Sequence, residues 1–429
     1  MKTEISTAPL GQRFEIKVNL EAMTRCPGSC QGCFMQPEER KYGTFWGEEQ
    51  FADAQKFVAR FVDFHREKLD TASEFEVAVN LGQGDHMDVS SNAMAPATAF
   101  IESVYEGRSV AFITASAVSA GYRLASSAHR WKGSLKGKGQ AFFADVVFDP
   151  MLSNKASFHE KYHGNIQVLR EVFGEVDLNI NLGPDTIQAI SPEELHALVC
   201  ANDFRILTLN FAPTSFSPPS FIERAPEILE WVKAMFKVWL PAGSRERPKY
   251  LLNTFATLVR PILVFRHNKA VGVEVDEKWV VDSLAAELPK MLYVDHDGNV
   301  SFVQAGIGDL PVGSRTGWRT IGNIRDLAED PNLETRIKAG ARVLAASIVS
   351  SLSASDVCGA CPQRFVCAMT GGTHLTKLIG DKSREQSGLC PSGLRELYDL
   401  VDQYDSHVLS SACECHIPKA GDENFSDSN

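Results

Sequence analysis

The sequence predicts an α/β protein in which parallel strands alternate with helices, arranged as an open barrel or as a doubly wound sheet. Three observations carry that prediction. Six strand–helix units follow one another in the first part of a 429-residue chain. The strands are short apolar or alternating runs that end in turn-forming residues. The segments between them place apolar residues at helical spacing.

The first strand, FEIKVNL (14–20), alternates in character and runs into a cysteine-rich loop. FADAQKFVARFVDFHREKL (51–69) brings Phe51, Ala54, Phe57, Val58, Phe61, Val62 and Leu69 near one helical face. FEVAVN (75–80) is a strand ending in the glycine-bearing loop LGQGD, and TAFIESVYEG (98–107) a helix. SVAFITAS (109–116), AFFADVVFDP (141–150), VDLNINLG (176–183) and FRILTLNFAP (204–213) complete the six strands. AGYRLASSAHRW (120–131), KASFHEKYHGNIQVLREVFG (155–174) and APEILEWVKAMFKVWL (225–240) are the intervening and following helices. SPEELHALVCAN (191–202) opens on a cap, because Ser191 precedes Pro192 and Glu194 lies three residues on.

The character changes near residue 240. PAGSRERPK (241–249) is polar and proline-bearing, and residues 241–290 read as a connector. MLYVDHDGNVSFVQAG (291–306) is a hairpin turning at Asp297-Gly298. LETRIKAGARVLAASIVSSL (333–352) is a helix leading into a second cysteine group, and the polar tail 416–429 is expected to be disordered. The predicted organisation is therefore a parallel unit at 1–240, the connector, a C-terminal unit at 291–415 and the tail. Parallel architectures gather their sites at the carboxyl ends of strands, so the first cysteine loop and the GQGD loop should share one face.

Apolar residues at 44% and charged residues at 23% are ordinary globular usage. The net charge of −11 argues against a general nucleic-acid or anionic-membrane partner. No apolar run of about eighteen residues is present, and MKTEISTAPLGQRFEIKV (1–18) lacks a signal-peptide core. A soluble, cytoplasmic protein with reduced thiols is expected.

Nine of the ten cysteines fall in two terminal groups, leaving Cys200 alone between them. In a reducing compartment such spacing reads as metal or iron–sulfur binding before disulfide. Cys26, Cys30 and Cys33 leave a zinc ion one ligand short, which His65 or His86 could supply. They also leave one iron of a 4Fe-4S cubane open to an external ligand. Cys358, Cys361, Cys367 and Cys390 supply four thiolates, enough to close either a cubane or a structural zinc site.

Cys26-x3-Cys30-x2-Cys33, directly after a first strand and ahead of six strand–helix units, resembles the radical S-adenosylmethionine superfamily. The resemblance implies a partial (β/α)6 barrel with a smaller C-terminal iron–sulfur domain of a hairpin plus helices. It implies that Cys26, Cys30 and Cys33 hold a catalytic 4Fe-4S cluster whose open iron binds S-adenosylmethionine. Reductive cleavage then releases a 5′-deoxyadenosyl radical, with the protein supplying geometry and exclusion of water. Gly82, Gly84 and Asp85 of LGQGDHM resemble the loop that holds the methionine amino group, although glycine and aspartate also fit an ordinary turn. Asn181, with Asn179, ends a strand where the ribose would lie. The family's aromatic before the third cysteine is Gly32 here, and Phe34 follows Cys33 instead.

DVCGACPQRFVCAMTGG with the later SGLC resembles the SPASM domain of such enzymes. The next position of that pattern is Gly371, and the hairpin lacks the family's first auxiliary cysteines. The resemblance thus implies one auxiliary 4Fe-4S cluster on Cys358, Cys361, Cys367 and Cys390. Cys413 and Cys415 read as a mobile tail, or one of them as a hydrogen-atom donor or an extra cluster ligand; Cys200 reads as a small buried residue or a third candidate donor.

Relatives of this kind modify ribosomal peptides, protein side chains or small sugar-like molecules. The resemblance implies a peptide or protein substrate undergoing an oxidative cross-link or similar maturation, and a flavodoxin- or ferredoxin-type electron donor. Only 25 residues precede Cys26, too few for a leader-binding domain, so a separate leader-binding protein is one expected partner. Epimerisation or dehydrogenation of a small sugar-like molecule is the alternative reaction. A zinc-stabilised binding or scaffold protein without radical chemistry is the alternative from another class.

Overall fold

Strand β1 (Arg13–Leu20) buries Ile16, Val18 and Leu20 on one face and leaves Lys17 exposed and Asn19 half-buried on the other. The computed structural model describes residues 13–26, 37–66, 74–82, 84–104, 109–115, 124–134, 141–148, 156–211, 224–243, 246–302, 320–370, 388, 390 and 393–413. β2 (Glu74–Asn80), β3 (Ser109–Ala115), β4 (Ala141–Phe148), β5 (Val176–Leu182), β6 (Ile206–Phe211) and a short β7 (Leu251–Leu252) follow. Each pairs in parallel with the next, and the order never reverses.

That order decides between the two predicted architectures. A doubly wound sheet reverses direction at a switch point, and its helices lie on both faces. Right-handed crossovers that always advance the same way place their helices on one face. The helices α1 (Glu48–Arg66), α2 (Ser91–Val104), α3 (Leu124–Ser134), α4 (Ala156–Phe173), α5 (Pro192–Ala201) and α6 (Ala225–Trp239) therefore share one layer. Beneath them Val18, Val79, Val146, Ile180 and Leu209 join Phe57, Phe61, Trp131 and Phe236 in one core. The opposite face carries Asn19, Asn80, Asp145, Asn179 and Asn181. The sheet is open, with β7 and β10 at its edges.

The predicted cap of α5 is present: Ser191 Oγ accepts from the Glu194 backbone N–H at 3.2 Å, and Glu194 Oε2 accepts from the Ser191 backbone N–H at 2.8 Å. Residues 241–290, expected as a connector, are mostly ordered secondary structure. β7 lies here, followed by α7 (Asn253–Ala270) and α8 (Glu277–Glu287). α7 carries Pro261 in its interior while burying Phe255, Leu258, Val259, Ile262 and Leu263.

The hairpin continues the same sheet from the other edge of β1. β8 (Met291–Val294) pairs parallel with β1, β9 (Asn299–Ser301) returns antiparallel, and β10 (Thr320–Asn323) adds to β9. Gly298 takes a positive φ of 84° at the turn, which suits glycine. Beyond β10, α9 (Leu333–Ser353), α10 (Arg364–Met369), α11 (Leu394–Val401) and α12 (Ser406–Ala412) pack so that Leu397, Tyr398 and Leu409 belong to the core that contains Val18. Among the described residues, no helix is long and apolar enough to cross a membrane.

Candidate active site

The chain leaving β1 is fixed on three sides before it reaches Cys26. Glu21 N–H donates to Val294 O at 2.8 Å, tying it to β8. Thr24 N–H donates to Thr44 O at 3.1 Å, Trp46 N–H to Ala22 O at 2.9 Å, and Met23 forms an isolated bridge with Phe45. His296, at the hairpin turn, reaches Glu21 O through Nδ1 at 3.1 Å and Thr44 Oγ1 through Nε2 at 2.9 Å. The Trp46 indole donates to His296 O at 2.9 Å. No local sequence signal could expose this clasp, since His296 lies about 250 residues from Trp46.

The third side is the loop after β2. Gly82 has φ +117°, and a Cβ there would stand 3.1 Å from Leu20 O. A Cβ on Gly84 would collide with the Arg25 carbonyl oxygen and lie 2.8 Å from Met23 Cγ. Both glycines are therefore required by close approach to the first loop, with Gly84 against the residue before Cys26. The Asp85 carboxylate is buried and its Oδ1 accepts from Met87 N–H at 3.0 Å, capping the turn that ends the loop. Cys26 itself is half-buried at this edge. Cys30, Cys33 and Phe34 lie outside the described residues.

Polar side chains line the face opposite the helices in register. Asn19 pairs with Asn80, Asn179 with Thr208, and Asn181 with Asn210. Asp145 and Asp177 stand side by side across β4 and β5. Protein surrounds Asp145 closely although one edge is open to solvent. Burial and then the Asp177 charge push its carboxyl up to about 7, against the pull of Asn179 and Arg205. Asp177 is raised as well, by burial first, although Arg205 Nη2 sits 3.4 Å from its Oδ2. Sequence reading missed this carboxylate pair, because register rather than spacing brings the two together.

Two solved structures share this fold. One is anSMEcpe with bound AdoMet, at a TM-score of 0.56 and 12% identity, covering 94% of this chain and 100% of that one. The other is anSMEcpe with bound AdoMet and the Cp18Cys peptide, at a TM-score of 0.54 and 12% identity, over 90% and 99%. anSME is an anaerobic sulfatase-maturating radical S-adenosylmethionine enzyme. The chain has the fold of these two structures. No protein-family model and no curated protein sequence matches the chain.

On this fold the second cysteine group is gathered by short helices. Ser355 Oγ accepts from Cys358 N–H at 3.2 Å, and Cys361 N–H donates to Cys358 O at 3.0 Å. Cys367 lies within α10 and Cys390 in the approach to α11, where Gly393 N–H donates to Cys390 O at 3.2 Å. Cys367 is the most enclosed of the four. Burial, and then the thiols of Cys390, Cys361 and Cys358, push its thiol up to about 12, against the pull of the neighbouring Tyr398 hydroxyl. Thiols gathered around the raised Cys367 suit a cationic occupant, because iron or zinc deprotonates its thiol ligands outright. Among the described residues, no group of three or more His, Cys, Asp or Glu is arranged for a single metal ion.

The other cysteines fall elsewhere. Cys413 closes α12 and is 3% exposed, so it belongs to the core and not to a mobile tail. Cys415 and Gly371 lie outside the described residues. Cys200 is half-buried on the helix layer, across the sheet from the polar face, with its Sγ 3.6 Å from His196 Nε2. His65 and His86 are both buried and bonded to backbone oxygens, of Pro289 at 3.0 Å and Leu81 at 3.2 Å.

Proposed function

We propose that this chain is a radical S-adenosylmethionine enzyme that acts on a peptide or protein side chain. In this reading Cys26, Cys30 and Cys33 hold a catalytic 4Fe-4S cluster, and Gly82, Gly84, Asp85, Phe34 and Asn181 bound the cofactor pocket. One observation carries it. The two-glycine loop after β2 seats directly on the residue before Cys26, at the carboxyl edge of a non-reversing parallel sheet. The same fold occurs in an enzyme solved with AdoMet and with a peptide.

The cluster and S-adenosylmethionine, when bound, supply a 5′-deoxyadenosyl radical that takes hydrogen from the substrate. The chain's own residues supply position. The His296 clasp and the Gly82–Gly84 contact hold the first loop against the sheet. Asn19, Asn80, Asn179, Asn181 and Asn210 present amides to the ribose and to the backbone of a peptide laid across the polar face. The apolar core closes the other side of the sheet to water. Asp145 keeps its proton below about pH 7 and can then donate as well as accept.

Cys358, Cys361, Cys367 and Cys390 are assigned an auxiliary 4Fe-4S cluster, a closed set suited to electron acceptance. A cross-link or other net oxidation follows from that acceptor. A flavodoxin- or ferredoxin-type protein is the electron donor in this reading.

Iron and acid-labile sulfide per chain, after anaerobic reconstitution, test the proposal. About eight irons should fall to about four in the Cys26→Ala, Cys30→Ala, Cys33→Ala variant, and 5′-deoxyadenosine formation should vanish with them. Stoichiometric zinc with little iron would return both groups to structural metal sites.

A further inference from the structure

We propose that the Tyr398 hydroxyl is a built-in hydrogen-bond donor to the Cys367 thiolate of the auxiliary cluster, and so helps set that cluster's reduction potential. The inference rests on the auxiliary-cluster reading above. Tyr398 sits on α11 and is 0% exposed. Its hydroxyl closes no hydrogen bond of good geometry, whereas a buried hydroxyl ordinarily finds a partner. The polar groups beside it are the Cys367 thiol and the Thr370 hydroxyl. Thr370 Oγ1 donates its own proton to Cys367 O at 2.6 Å.

A neutral thiol is a weak acceptor, and an iron-bound thiolate is a charged one. Binding of a cluster would thus give the orphaned hydroxyl the partner that it lacks. Cys367 is also the buried member of the set, whereas Cys358, Cys361 and Cys390 are partly exposed. Water has least access to its sulfur, so a protein donor there matters most. A hydrogen bond to a cluster sulfur stabilises the more negative, reduced state and raises the potential. Tyr398 acts through Cys367 and is a positioning residue.

The test uses the full chain carrying Cys26→Ala, Cys30→Ala and Cys33→Ala, with and without Tyr398→Phe, reconstituted anaerobically. Both should hold about four irons. In a redox titration followed by electron paramagnetic resonance, Tyr398→Phe should shift the midpoint to a more negative potential. Electron–nuclear double resonance of the reduced cluster should show an exchangeable proton coupling that the phenylalanine chain lacks. Equal midpoints at about four irons each would overturn the inference and leave the auxiliary cluster standing. An iron-free chain with Tyr398 intact would overturn the auxiliary cluster itself, and the iron count separates the two failures. Should Tyr398→Phe alone fail to hold iron, the coupling in the tyrosine chain decides, since its absence removes the hydrogen bond.

Discussion

Asp145 shows what a single residue on the polar face does to the whole chain. Its folded carboxyl titrates at about 7, well above the ordinary carboxylate near 3.9 of an unfolded chain. Between about pH 4 and 7 the folded protein therefore holds a proton that the unfolded chain has released. Stability must fall as pH rises through that window and level off above it. Asp145→Asn removes the titration. The variant should unfold at a temperature that varies less between pH 4 and 7, and at pH 8 it should be about 1–2 kcal/mol more stable, a figure reduced for the carboxyl's open edge. Thermal melts across that range check this, and an unchanged slope would assign the pH dependence to other groups. The alternation of β4 and β5 was legible as strand character, but the pairing of Asp145 with Asp177 was not. Register is set by the packed face of both strands, and no residue near Asp145 in sequence announces it.

At the scale of elements, the decisive contact is loop against loop. GQGD is as common in turns as in sites, so sequence left it divided between the two readings. The structure resolves why both glycines are needed: each would push a Cβ into the backbone leaving β1. Gly84→Ala should cost about 1–3 kcal/mol through overpacking and displace the loop that carries Cys26. The iron content should drop by about four per chain while the second cysteine group keeps its share. Gly133→Ala is the control, because a Cβ at Gly133 in α3 meets nothing within 4 Å. Full iron in Gly84→Ala would separate the glycine loop from the first cluster. The helical elements were more legible, since capping and periodicity are local. Ser191, Pro192 and Glu194 sit as their spacing predicts, whereas α7 falls in the stretch read as a connector.

The whole molecule joins what the sequence divides. A change in composition near residue 240 suggests a boundary, but strand pairing depends on partners far along the chain. β1 is flanked by β2 on one side and by β8 on the other, so the strand that leads to Cys26 is interior to the sheet. Arg60 of α1 donates to Leu327 O, Ala328 O and Asp330 O at 2.6–3.1 Å. Arg325 pairs with Asp53 at 2.6 Å and Glu49 at 2.7 Å, and Arg266 of α7 donates to Tyr404 O at 2.8 Å. Leu327, Tyr398 and Leu409 share the core of Val18 and Phe57. A chain ended at residue 240 would leave one edge of β1 unpaired, a row of backbone groups open to aggregation, and expose the apolar surface that α7 and α11 cover. It should be insoluble or lack a cooperative melt, whereas the full chain should unfold in one calorimetric transition with matching van't Hoff and calorimetric enthalpies. A soluble, cooperatively folded 1–240 fragment would show instead that the parallel unit is autonomous and that the hairpin is an addition to it. The clasp from His296 to Glu21 and Thr44 argues for the first outcome, because it makes the approach to the first cluster depend on residues beyond 290.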